Sequence, residues 1–249
     1  MVHERATAGS RRKQEALETR ENILEVATRE YADKGLAGAR IDEIAEKTNS
    51  SKRMIYYYFG GKDELYRAVL ERAYARIRAQ EQAAHFEELQ PEEALRAVIG
   101  HNFDYHFEHP EFVRLVMNEN VHHGEHIAQI ESMKQRNQSA IEQLRTILAK
   151  GVAAGVFRTG IDPVDLHTTI SALSFYNVSN RHTFQHNFGV DFAEPGVRAK
   201  RREQIIQAAD VDERRWPARL LVTIIQRWKD RGYRPDQASP VVLPESERL

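Results

Sequence analysis

Three observations on the 249-residue chain predict an all-α fold. Apolar residues recur at three- and four-residue spacing through nearly its whole length. The two-residue alternation of half-buried strands is missing, and Pro and Gly fall between the periodic segments. A hydrophobic content of 41% against 29% charged residues provides for a sizeable core in one or two globular domains.

The elements follow in order. Residues 1–17 are polar, include the basic cluster Arg11, Arg12 and Lys13, and are expected to form a flexible basic arm. That cluster either enters a minor groove or stays solvated. Thr19 is the expected N-cap of a helix over Arg20–Lys34, with Ile23, Ala27 and Tyr31 on one stripe and Gly35 as its C′ residue. A short helix over Asp42–Lys47 buries Ile41, Ile44 and Ala45, and Asp42 and Glu43 suit the positive end of its dipole. Thr48-Asn49-Ser50 makes a turn in which Asn49 is expected to be left-handed. Ser51 then caps a helix over Lys52–Phe59, with Ile55 and Phe59 facing the core, and Gly60-Gly61 ends it. A long helix opens at Lys62 and places Leu65, Val69, Ala73 and Ile77 on one face.

Beyond Pro91 the periodicity predicts further helices over Glu92–Phe107, over a shorter stretch to Asn120, and over Ile127–Lys150, Pro163–Arg181 and Gly196–Ala209. The stretch Leu220–Ile225 is open between helix and strand. Pro235, Pro240 and Pro244 predict an irregular end, with poor order expected beyond Arg234.

Charge and chemistry narrow the function. The net charge is −1, with 12 Lys and Arg against 10 Asp and Glu over residues 1–62, so a nucleic-acid contact must come from a local patch. There is no cysteine, hence neither a disulfide framework nor a thiolate site. No apolar run approaches membrane-spanning length and the N-terminus lacks the apolar stretch of a signal peptide, so a cytoplasmic protein with no membrane partner is expected. His122, His123 and His126 lie near Glu119 and Glu125, but Gly124 interrupts any shared helical face, and neither a metal nor another cofactor is expected. With no nucleophile elbow and no phosphate-cradling glycine loop, an enzyme is not expected.

Ile41–Leu65 reads as helix, tight turn, helix, hard stop and new helix, with Lys52, Arg53 and three tyrosines behind a Ser51 cap. Such a helix-turn-helix places cationic and hydroxyl side chains in the major groove of duplex DNA. Thr19 to Arg78 resembles the TetR family of bacterial transcriptional regulators through Ile23, Ala27, Gly35, Ile41, Ile44-Ala45, Ser51, Ile55-Tyr56, Tyr58-Phe59, Lys62 and Glu64-Leu65. The resemblance implies a DNA-binding domain over residues 18–78, with the motif at 40–59, and a helical effector-binding and dimerisation domain over 79–209. Residues 210–249 look unlike a usual family ending. Family members usually carry Ser or Thr at the position of Arg40, Gly at that of Asn49, and small residues at those of Arg53 and Met54, so base preference is expected to differ here.

The expected DNA contacts are Arg40, Ser51, Lys52, Arg53, Tyr56, Tyr57 and Lys62. Arg53 suits guanine through O6 and N7, Tyr56 a thymine methyl or a phosphate, and Tyr57 a phosphate. Lys62 resembles the family's phosphate anchor, although a helix-opening lysine can also be merely solvated; Tyr58 is assigned to the core or its rim. One short helix reads few base pairs, so a homodimer on a palindromic operator is expected, with a seam from Pro163–Arg181 and the final helix as the resemblance implies. Asn102, His106, Asn137 and Asn177 fall on apolar stripes and are candidates for lining a small-molecule effector pocket. Neighbouring side chains, water or the dimer mate are the alternative partners for them. A ligand-released repressor is the leading expectation; a regulator without a small-molecule effector, or an activator, is the alternative.

Overall fold

The computed structural model describes residues 2–208; the expectations for residues 210–249 lie outside the described residues. Ten α-helices follow in order among those residues: α1 (Val2–Gly38), α2 (Ile41–Lys47), α3 (Lys52–Phe59), α4 (Lys62–Ala83), α5 (Pro91–Glu108), α6 (Pro110–Val121), α7 (Ser132–Ala153), α8 (Pro163–Ser179), α9 (Arg181–Phe188) and α10 (Pro195–Ala208). No strand occurs among the described residues.

Three boundaries differ from the sequence expectation. Residues 2–17, expected as a flexible arm, run as helix straight into α1. Thr19 is therefore no N-cap: its hydroxyl donates to the Glu15 carbonyl at 2.8 Å, inside the helix. Exposed Arg11 and Glu15 pair at 2.9 Å one turn apart, and such pairs add a few tenths of a kcal/mol, roughly 0.2–0.5, to a solvated helix. The helix expected from Ile127 begins at Ser132, because Ile127–Gln129 forms a separate 3₁₀ turn. Its start is held by Glu119, whose Oε1 accepts from the backbone N–H groups of His126 (2.7 Å) and Ile127 (2.9 Å). The helix expected over Pro163–Arg181 divides at Asn180, and α9 leaves in a new direction.

The caps behave as their chemistry dictates. Gly35 sits at φ 66 and interrupts α1, a conformation in which a Cβ would be strained. Asn49 takes the expected left-handed conformation at φ 52. The Ser51 side chain accepts from Met54 N–H at 3.2 Å, and Asp162 accepts from Val164 and Asp165 at the head of α8.

Two main cores form. In the first, Ile23, Leu24, Ala27 and Tyr31 of α1 pack on Ile44, Ile55, Leu65 and Val69, which sets α3 rigidly across α1 and α4. The second joins Leu95, Ile99 and Phe103 of α5 to Leu144 and Leu148 of α7, Ile170 of α8 and Ile205 of α10. α4 runs from one half to the other, burying Leu65 and Leu70 near its start and Ile77 near its end. α6 crosses back: Leu115 is wholly buried in the first core. Asn118 Nδ2 donates to the Tyr31 carbonyl at 3.1 Å, and Arg114 pairs with Asp33. The DNA-binding half is therefore fastened to α6 by apolar, polar and ionic contacts at once.

Candidate nucleic-acid interface

The short α2, the turn at Thr48–Ser50 and α3 stack so that one face of α3 is buried and its first turn projects into solvent. Ile55 is buried, with Tyr58 and Phe59 half-buried at the rim of the core. Tyr58 meets both neighbouring rings edge-on, Tyr57 at 5.4 Å and Phe59 at 6.3 Å. Ser51, Lys52 and Arg53 are exposed, as are Tyr56 (51%) and Tyr57 (78%). Two large aromatic rings held this far out of the core contribute little to folding, and they stand beside two cations on one helix.

The cations are not equivalent. Lys52 Nζ lies 2.6 Å from Asp42 Oδ1, and Arg40 approaches the same carboxylate at 3.9 Å. The hydrogen bond from Lys52 holds the Asp42 carboxyl below its ordinary value. Asp42 was read from sequence only as a dipole partner for α2; here it also tethers two of the expected DNA contacts. Exposed pairs of this kind are worth about 0–1 kcal/mol, so phosphate oxygens replace the carboxylate at small cost. Arg53 has no ion pair and no side-chain hydrogen bond among the described residues. Lys62 is half-buried at the head of α4, where its Nζ donates to the Ala37 carbonyl at 3.3 Å and its own carbonyl accepts from the Tyr31 hydroxyl at 2.9 Å. Its position fixes the joint between α1 and α4. Arg40 flanks α2 with no side-chain capping bond, as expected for a residue lacking a short acceptor.

Behind this face, buried Glu30 receives both Lys34, at 2.8 Å, and Lys47, which ties α1 to α2. Hydrogen bonds from those two lysines keep its carboxyl below the usual range.

The four interior polar residues separate. Asn102 and His106 are buried together on α5, and Asn102 Oδ1 and His106 Nδ1 have no hydrogen-bond partner. Asn177 is fully buried on α8 but satisfied, donating to the Leu173 carbonyl at 2.6 Å and accepting from Arg201 at 3.0 Å. It braces α8 against α10 instead of joining the α5 pair. Asn137 is half-buried on α7. The sequence reading missed Arg78 and Glu81 of α4, both buried and 2.8 Å apart. Their only sequence signal was a position beside the Ile77 stripe.

His106 carries a pH consequence. Burial, reinforced by the nearby Arg78 charge and His167, pushes its imidazole down to about 4. A folded value below the unfolded one means that the stability contribution is complete above the ordinary imidazole range. It is lost as pH falls from about 6.5 towards 4, up to on the order of 3 kcal/mol. Urea midpoints across that window should fall for the native chain, and the slope should flatten in His106→Gln; an unchanged slope contradicts the assignment.

Among the described residues no helix is long and apolar enough to cross a membrane.

Comparison with known proteins supplies the deciding observation. Residues 23–69 match the model for bacterial regulatory proteins of the tetR family, and residues 91–209 match a tetracyclin repressor-like C-terminal domain. The HTH-type transcriptional repressor NicS of Pseudomonas putida is 37% identical over 188 residues, 76% of this chain and 89% of NicS. The chain belongs to the TetR family. The repressor SCO4008 of Streptomyces coelicolor is 31% identical over 64% of this chain and 78% of its own. The putative transcriptional regulator SCO4942 of Streptomyces coelicolor superposes with a TM-score of 0.58 at 25% identity, covering 77% of this chain and 96% of that one. The similarity to NicS spans both halves, so family membership rests on more than the helix-turn-helix. These relatives are transcriptional regulators, and so is this TetR-family chain; it is not an enzyme.

Proposed function

We propose that this chain is a repressor that binds a palindromic operator as a homodimer and lets go when a small molecule enters its C-terminal half. The observation that carries the reading is the solvent-facing first turn of α3, with Arg53 free of any ion pair among the described residues and Tyr56 one turn on. Arg53 reads guanine, Lys52 exchanges Asp42 for phosphate, and Tyr57 and Arg40 contact the backbone on either side. The repressor names of NicS and SCO4008 support the sign of regulation.

Dimerisation is supported by apolar side chains left exposed near the C-terminal end of the described chain: Val164 and Tyr176 on α8 and Phe188 on α9. The rigid seat of α3 on α1 and α4 means that half-site reach is set by how the two chains are held. The α6 contact on α1 provides a route by which the C-terminal half moves that seat. Release follows if a ligand binds better to the arrangement whose α3 spacing does not match the operator.

The release step is tested by screening small molecules for those that raise the Tm of the full chain, then measuring the operator affinity in their presence. At least one such compound should weaken DNA binding by roughly five- to 150-fold, the usual range of allosteric coupling. Stabilising compounds that all leave DNA affinity unchanged would contradict release by a small molecule.

A further inference from the structure

We propose that Arg78 is the receiver for a small, flat, aromatic carboxylate, and that Glu81 holds the ligand's place until it arrives. This rests on the reading of the chain as an effector-released regulator and names the chemical class of the effector.

The starting point is a buried guanidinium whose fork is largely unused. Arg78 is 7% exposed, and its Nη1 lies 2.8 Å from Glu81 Oε2, one helical turn further along α4. Its Nε is buried without a hydrogen-bond partner. A guanidinium offers five N–H donors in a geometry that matches a carboxylate through two parallel bonds. A single contact to a neighbour on the same helix uses one edge of that capacity. Around it, Asn102 Oδ1, His106 Nδ1 and His101 Nε2 on α5 are also buried without partners. The Arg78 charge reaches His101 and His106 on α5 and His167 on α8, and burial keeps all three imidazoles below their ordinary value. They are neutral near pH 7 and can each donate or accept. The one full positive charge of this interior is therefore on Arg78.

A buried cation cannot be left without a counter-charge, so whatever displaces Glu81 must bring a negative charge of its own. Glu81 has somewhere to go. Its side chain also lines a cleft of about 300 Å³ between α4 and α7, together with His85, Ser139 and Gln143. Swung into that cleft, the carboxylate regains water, and the interior opens beside Arg78. Burial raises the Glu81 carboxyl, which shows that its charge is held at a cost where it stands.

The walls select a flat body. Phe112 of α6 meets Tyr74 edge-on at 5.3 Å and Tyr105 at 5.7 Å, and lies parallel to the His106 ring, 9° apart in plane at 6.0 Å. Phe175 of α8 stands edge-on to His106 at 5.7 Å. Four helices thus present oriented ring faces and edges, the arrangement that favours another aromatic ring over an alkyl chain. Asn102 and His106 supply the polar contacts that distinguish ring substituents.

The test uses the full chain with benzoate, benzamide and benzylamine as probes matched in shape and different in charge. Binding is followed by Tm and by calorimetric titration, with operator affinity measured in parallel. Benzoate should bind at least tenfold more tightly than either other probe. Glu81→Gln should tighten benzoate about tenfold, because the internal competitor has lost its charge. Arg78→Lys should weaken it by a similar factor, because the fork is gone. Equal binding of the three probes, no binding of any, or no gain in Glu81→Gln would overturn the proposal; the probe series and Glu81→Gln decide it even if Arg78→Lys does not fold. Benzoate that binds with this pattern yet leaves operator affinity unchanged would uphold the anion site and sink release through it, so the two readings fail separately.

Discussion

Arg53→Ala is expected to abolish discrimination between operator half-sites while leaving the fold and the dimer intact. Arg53 lies exposed in the first turn of α3, capped by Ser51, and no ion pair or side-chain bond among the described residues depends on it. Its removal should therefore change folding stability by no more than about 0.5 kcal/mol. A bidentate contact to guanine is worth about 1–3 kcal/mol of discrimination, so a panel of duplexes differing at the contacted pair should collapse by roughly ten- to a hundredfold towards common affinity. Lys52→Ala is the contrast. Because Lys52 exchanges Asp42 for phosphate, its loss should weaken all duplexes alike and lower the salt slope by about 1. A flat response of the panel to Arg53→Ala would remove Arg53 from the reading surface.

Leu115→Ala is expected to be the most destabilising of the changes considered, even though Leu115 belongs to α6 and not to the helix-turn-helix. The side chain is wholly buried among Tyr31, Leu70 and their neighbours, in the core that seats α3. Truncating such a leucine costs the lost transfer energy plus a cavity, about 2–5 kcal/mol. The polar bond from Asn118 to the Tyr31 carbonyl next to it cannot make up that volume. Met117→Ala, on the exposed side of the same helix, is the control and should stay within about 0.5 kcal/mol. The check is the urea midpoint at unchanged slope. A cost below about 1 kcal/mol would mean that the two halves are not packed together as described. The same variant should also weaken operator binding, since the seat of α3 loses one of its supports.

The helix-turn-helix was legible because its signals are local and agree with one another. The three-four spacing of Ile41, Ile44 and Ala45, the left-handed tolerance of Asn49, the Ser51 cap and the Gly60 stop all fall within one short stretch, and each is met in the structure. The helices of the second half were legible from Pro at their starts, at Pro91, Pro110, Pro163 and Pro195. Residues 2–17 were not, because their composition carries no apolar stripe; their helix is solvated and continuous with α1. The break at Asn180 is invisible to periodicity, since apolar residues continue on both sides of it.

The interior was legible in part. Asn102 and His106 stood out as polar residues on an apolar stripe, and they are buried together without partners. Asn177 gave the same signal but had a partner, Arg201, twenty-four residues away, which spacing alone does not reveal. Arg78 and Glu81 gave almost no signal. Charged residues on a helix are solvated far more often than buried, and only the fold of α5 and α8 over α4 takes this pair out of water. The tether of Lys52 to Asp42 was hidden for a related reason: ten residues of chain separate partners that the turn brings to 2.6 Å.

The central claim is that α3 reads DNA as one of a symmetric pair. Selection of duplexes from a random pool by the full chain tests it most directly, followed by counting the chains on the selected duplex by sedimentation. The account predicts an inverted repeat whose half-site centres are separated by one helical turn of DNA or a multiple of it, about 34–36 Å per turn, with an even number of chains bound. Enrichment of a sequence without two-fold symmetry, or a single chain on the selected duplex, would contradict it.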